Sequence, residues 1–170
     1  MGFFIGYRAQ PKQLGVVRLC VAMRLQNKAI RSEWHITPTM DNIVADLNGA
    51  QWFPKLDLNA GCDQLELDPV CRYNTTFLTH VGLRRYRRLN FDILSAAEVF
   101  QDTIREVLSG LVGVLNLSDD ILIFSRTLQE HHVWLRKILQ RLADSRLTLH
   151  KQKCSFYRNL IDIFAYMFTR

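Results

Sequence analysis

The sequence predicts an α+β domain in which an antiparallel sheet is packed against helices. Three observations carry that expectation. Two apolar runs, Leu111 to Leu117 and Ile121 to Phe124, flank the polar triplet Ser118-Asp119-Asp120, as paired strands flank a hairpin turn. Residues 95–108 and 128–143 instead repeat apolar side chains at helical spacing. With 48% hydrophobic and 11% aromatic residues in 170, the chain can bury a substantial core, as one ordinary domain or two intertwined small lobes.

The elements follow in order. Val16 to Met23 reads as a short strand carrying Arg18, with Arg24 after it. Residues 26–39 are polar and turn-rich, and Pro38 restricts the backbone of Thr37. Met40, Ile43, Val44 and Leu47 give a short amphipathic helix from Thr39 to Leu47, which Gly49 is placed to end. Trp52 to Leu58 is a strand, and Asn59-Ala60-Gly61 starts a turn or short helix. Another strand covers Thr75 to Thr79. Ser95 can cap a helix that runs to Leu108, with Val99, Phe100, Thr103, Ile104 and Val107 on one face and Gly110 as its stop. The hairpin comes next. A longer helix, Leu128 to Ala143, presents His131, Leu135, Ile138, Leu139 and Leu142 on one side. A short strand near Leu147-Thr148-Leu149 and an apolar segment over 160–168 close the chain.

Net charge is +6 and the pI is near 9.4, which favours a polyanionic partner such as nucleic acid or an anionic surface. Cys20, Cys62, Cys71 and Cys154 form no CxxC pair, so thiolate metal spacing is absent, and they read as reduced thiols of an intracellular protein. Gly6 stands where myristoylation wants Ser or Thr, and the N-terminus lacks the ordered regions of a signal peptide. No apolar run is long enough to span a bilayer.

The chemistry concentrates at Asp119-Asp120. Adjacent carboxylates between apolar strands repel each other and need compensation, for which a divalent cation is the usual agent. Asp57 lies in a similar apolar frame, Phe53-Pro54-Lys55-Leu56-Asp57-Leu58. Carboxylates arranged on strands for hard cations point to phosphoryl transfer.

Three blocks in order resemble reverse transcriptases, most closely those of gypsy-type long-terminal-repeat retrotransposons. They are Val17 to Lys28, Phe53 to Gly61 and Ser118 to Ser125. Fainter echoes occur at Thr75-Thr76-Phe77, Phe100-Gln101, Glu130-His131 and Lys151 to Phe156. The resemblance spans nearly the whole chain in one collinear register. It implies the fingers (about 1–31 and 65–95) and palm (about 32–64 and 96–170) of a right-hand polymerase, with thumb and RNase H regions absent, as in a fragment of a longer polyprotein.

In that family two Mg²⁺ ions, or Mn²⁺ in their place, serve nucleotidyl transfer on a template-primer with deoxynucleoside triphosphates. Asp57 matches the first metal-binding aspartate, and Asp119 and Asp120 match the palm-hairpin pair. Lys12 and Arg18 match basic fingers positions that contact the triphosphate, although solvated surface charge is the plainer reading of Lys12. Phe91 falls in the block beside the nucleotide. The resemblance further implies action in cytoplasmic particles and no membrane partner.

Departures accompany the matches. Leu117 replaces a tyrosine two residues before the aspartate pair, and Cys62 stands where an aromatic gate meets the sugar 2′-position. Asp92 replaces a glycine near the nucleotide site, putting negative charge where a triphosphate would approach, and Ala22 replaces an aspartate. Arg84, Arg85, Arg87 and Arg88 either lie on a solvated or distorted strand or grip template phosphates. His131-His132 reads as structural, because neighbouring helix residues point in different directions, and Phe100 and Trp134 read as core. Three functions are therefore in play: an RNA-directed DNA polymerase domain, a catalytically impaired retroelement remnant that only binds nucleic acid, and an unrelated metal-dependent phosphohydrolase.

Overall fold

The computed structural model describes residues 5–9, 17–30, 40–157, 160–163 and 166–169. In chain order the elements are β1 (Ile5–Ala9), β2 (Val17–Val21), α1 (Arg24–Ala29), α2 (Met40–Leu47), β3 (Lys55–Asp57), β4 (Thr76–Thr79) and β5 (Gly82–Arg85). They continue with α3 (Ala96–Val107), β6 (Val114–Leu117), β7 (Asp120–Ile123), α4 (Leu128–Asp144), β8 (Leu160–Ile163) and β9 (Tyr166–Thr169). Short 3₁₀ helices occupy Gly61–Gln64 and Cys71–Thr75. The chain divides into two compact units, Met1–Glu33 with Cys62–Ala97 and Trp34–Gly61 with Glu98–Arg170.

In the first unit β1 pairs antiparallel with β2, setting Arg18 opposite Arg8, and β4 pairs with β5 as a hairpin. Val21, Met23 and Phe77 form its buried apolar cluster, with Tyr86 packed against them. Residues 24–29, which the sequence assigns in part to turns, form a helix. Its start carries no side-chain cap, so the usual sequence signal is missing. Tertiary bonds hold it instead: Asn27 Nδ2 donates to the Asp92 carbonyl, and the Leu94 N–H donates to Asn27 Oδ1, both at 3.0 Å. Residues 31–39, the rest of that stretch, lie outside the described residues.

The second unit is built on a three-stranded antiparallel sheet in the order β3-β7-β6. Leu56 and Ile121, opposite each other across β3 and β7, are both fully buried. On the other face Leu122 joins Ile43, Leu47, Ala50 and Phe53, with Leu115, Leu117 and Phe124 packed against them. The expected strand from Trp52 to Leu58 shortens to β3 with single bridges at Trp52 and Leu58. Pro54 is the reason, since it offers a carbonyl to Ile123 N–H but has no N–H to return. The strand expected near Leu149 is likewise one bridge, to Leu58.

Helix α3 buries Phe100 and Ile104, and Leu108 is buried just past its end. Gly110 follows at φ 77°, a left-handed conformation suited to a helix stop. Helix α4 opens with a capping box in which Thr127 Oγ1 accepts from Glu130 N–H, and Glu130 returns a carboxylate to Thr127 N–H. Its buried face holds His131, Ile138 and Leu142. Trp134 is only half-buried, covering Gly113, where a side chain would collide with the indole.

His131 is fully buried between aromatic neighbours, with Trp52 and Tyr157 ring centroids at 6.1 and 5.3 Å, and neither ring nitrogen has a partner among the described residues. Burial, and secondarily the charge of His132, hold its pKa below the usual 6.5. The unfolded chain therefore binds the proton more readily. Stability contributed by neutral His131 is present above 6.5 and is lost as pH falls through that value towards the folded pKa. Thermal melts from about pH 8 to about pH 5.5 should show this loss, and His131→Leu should flatten it. Independently, Leu56→Ala should lower the unfolding free energy by about 2–5 kcal/mol in urea titrations. Loss of the cap in Thr127→Ala should lower it by about 1 kcal/mol.

Candidate active site

The β3–β7 register places Asp57 directly opposite Asp120. Residues paired across antiparallel strands project from the same face, so these two carboxylates are cross-strand neighbours, an arrangement that is destabilising unless countered. Two lysines counter it. Lys55 Nζ lies 2.6 Å from Asp120 Oδ2, and Lys153 Nζ lies 3.5 Å from Asp57 Oδ2. The Asp57 side chain is 15% exposed, whereas that of Asp120 is 37% exposed. Segment 148–155 lines the outer edge of β3: His150 N–H donates to the Asp57 carbonyl, and Asp57 N–H donates to Cys154 Sγ at 3.4 Å.

Asp119 occupies the turn. Its carbonyl accepts the Leu58 N–H at 3.0 Å, tying the turn to the end of β3. Ser118, just before it, has φ 56°, a left-handed conformation uncommon for a residue with a side chain and often found where a turn aims functional groups. The Asp119 carboxylate lies against Gly61, in space that a Cβ at position 61 would occupy. A Cβ there would push the Asp119 carboxylate aside, so glycine suits this position by contact rather than by backbone angle.

These side chains surround the hairpin end without closing into one cluster. Among the described residues no three His, Cys, Asp or Glu side chains stand as a ready metal cage. The donor set still fits a hard divalent cation. Such an ion takes carboxylate oxygens and completes its shell with water and substrate phosphates rather than a full protein cage.

The remaining expected residues belong to the first unit. Arg18 lies in β2, and Lys12 lies outside the described residues. Cys62 is half-buried, its thiol directed to the Ala96 carbonyl at 3.9 Å, and Phe91 is 45% exposed. The Asp92 carboxylate accepts the Val21 N–H through Oδ2 at 3.0 Å, while the Asp92 N–H donates to Asn90 Oδ1. Arg84 and Arg85 sit on a regular, solvated β5, not a distorted strand, and Arg87 and Arg88 are exposed beyond it.

Sequence reasoning missed Lys55, Lys153 and the role of Gly61. Lys55 alone carried a signal, since it stands two residues from Asp57 and so shares its face of the strand. The other two act through contacts distant in sequence.

The fold is of the reverse-transcriptase class. The chain belongs to the reverse transcriptase (RNA-dependent DNA polymerase) family, whose model matches residues 10–166. It is 30% identical over 154 residues to the retrovirus-related Pol polyprotein from transposon 297 of Drosophila melanogaster, covering 89% of this chain and 14% of that one. Against the corresponding polyprotein from transposon gypsy of the same fly it is 26% identical over 155 residues, covering 90% and 15%. The chain thus spans about one-seventh of these relatives' length. In fold it is similar to a foamy viral protease–reverse transcriptase solved in complex with double-stranded DNA, with TM-score 0.85 and 20% identity, covering 99% of this chain and 30% of that one.

Contact between Gly61 and Asp119 is directly testable. Gly61→Ala should destabilise the second unit by about 1–3 kcal/mol. The penalty should largely disappear in an Asp119→Ala background, a coupling that a double-mutant cycle of urea midpoints measures.

Proposed function

We propose that this chain is the fingers-and-palm portion of an RNA-directed DNA polymerase that extends a primer on an RNA or DNA template by two-metal nucleotidyl transfer. The observation that carries this reading is the register of Asp57 opposite Asp120, with Asp119 held at the turn between β6 and β7. Two Mg²⁺ ions, when bound, supply activation of the primer 3′-hydroxyl and charge stabilisation of the leaving pyrophosphate.

The protein's own share is placement. Asp57, Asp119 and Asp120 would hold the ions, the first two fixed through backbone bonds to segment 148–155 and to Leu58. Lys55 and Lys153 neutralise the facing carboxylates until the ions take their place. Arg18 and Lys12 would contact the triphosphate, while Cys62 and Phe91 would border the nucleotide. Support for nucleic-acid binding comes from the net charge of +6 and from the family.

Primer extension on an RNA template with Mg²⁺ tests the reading. The parent chain should incorporate deoxynucleotides, and Asp119→Asn should reduce incorporation by at least about a hundredfold. No incorporation by the parent, with salt-sensitive primer-template binding retained, would establish the binding-only remnant instead. Because Cys62 is smaller than an aromatic gate, the active chain should also accept ribonucleotides readily. Strict selection for deoxynucleotides in the same assay would defeat that role for Cys62.

A further inference from the structure

The densest cluster of cations in the chain, four arginines within residues 84–88, lies outside the aspartate site. From Asp68 to Asp92 no acidic residue intervenes, and Arg72, Arg84, Arg85, Arg87 and Arg88 fall within that interval. Arg72 is matched by Glu66 at 2.9 Å, and Arg88 donates to the Gln64 carbonyl at 2.8 Å. Arg84, Arg85 and Arg87 are all exposed. Nothing in the packing of the first unit requires so many cations on one hairpin.

One face of this hairpin is organised. The register sets Thr76 opposite Arg85 and Leu78 opposite Leu83, so these four share a face, while Phe77 turns into the buried cluster. Arg85 Nε donates to Thr76 Oγ1 at 3.1 Å, and its guanidinium carbon lies 4.0 Å from the centroid of the Tyr73 ring. Tyr73 is 63% exposed, and Leu78 and Leu83 are 54% and 63% exposed. The result is a cation–aromatic step that a hydrogen bond fixes and solvent can reach, beside an apolar strip and further cations.

That combination selects among polyanions. An anionic lipid surface offers phosphates but no planar groups, and a duplex keeps its base faces inside the stack. An unpaired strand offers both, because its bases stack on aromatic and guanidinium planes while basic side chains follow its phosphates. We propose that this face of the β4–β5 hairpin binds single-stranded nucleic acid, with Tyr73 and Arg85 stacking on bases and the exposed Arg87 contacting phosphates. The inference rests on the polymerase reading only in taking the strand to be an unpaired stretch of template.

Fluorescence anisotropy of the full chain with a short labelled oligouridylate, across a salt series, tests it. Tyr73→Ala should weaken binding by about five- to a hundredfold, and Tyr73→Phe should retain it. Arg87→Gln should weaken binding and reduce the salt slope by about 0.7. Circular dichroism should show all three folded, since every substituted side chain is exposed. Parent-like binding and slope in both the Tyr73→Ala and the Arg87→Gln variants would overturn the proposal. So would binding to phosphatidylserine vesicles without binding to the oligonucleotide. Asp119→Asn should bind the strand like the parent, so a chain that does not polymerise still tests this surface. Conversely, a chain that polymerises while its hairpin variants bind unchanged refutes this surface and leaves the polymerase reading intact.

Discussion

Antiparallel pairing of β3 with β7 is the constraint on which the site depends. Its register does two jobs at once, setting Leu56 against Ile121 in the core and Asp57 against Asp120 at the surface. Side chains alternate with a period of two, so a slip of one residue would turn Leu56 outward and carry a carboxylate into the apolar interior. The burial that stabilises the sheet therefore also fixes the separation of the acidic groups. No independent interaction has to hold them together.

Holding two carboxylates across a strand pair has a cost, and the sequence invites the idea that only a cation offsets it. The fold offers a second answer in Lys55 and Lys153. Lys55 and Asp120 are 40% and 37% exposed, and Lys153 is 62% exposed. Ion pairs as solvated as these contribute little, typically under about 1 kcal/mol. They offset part of the repulsion between the carboxylates, and pairs this weak would yield to a divalent ion that offered each carboxylate a stronger partner. Weak pairing is what suits lysines to this position.

Much of the fold was legible because its signals are local. Alternation and turn residues mark β6 and β7, three-four spacing marks α2, α3 and α4, and Gly49 and Gly110 mark helix ends. The misses share a cause. Helix α1 has no capping side chain and is held by Asn27 through residues more than sixty positions away. Pro54 shortens β3 by withholding one donor, which periodicity does not register. At the site, the three aspartates were readable from their apolar frames and the family resemblance, whereas Gly61 and Lys153 act by long-range contact and left no pattern. The charge of Asp92 was visible, but its use by the Val21 amide was not.

The departures from the family pattern take on a different meaning once each is seen in its surroundings. Leu117 packs against the cluster of Ile43, Leu47, Ala50, Phe53 and Leu122, so it anchors the β6–β7 hairpin by apolar contact where a tyrosine would place a ring. Asp92 spends its carboxylate on a backbone donor of β2, and Cys62 points its thiol at the Ala96 carbonyl. Each change is absorbed locally, and none touches the pairing of β3 with β7. These substitutions therefore bear on how a nucleotide or strand would be received, while the geometry of the carboxylates rests on the buried apolar pair Leu56 and Ile121. Reception and chemistry are separable in this fold because different parts of the chain secure them.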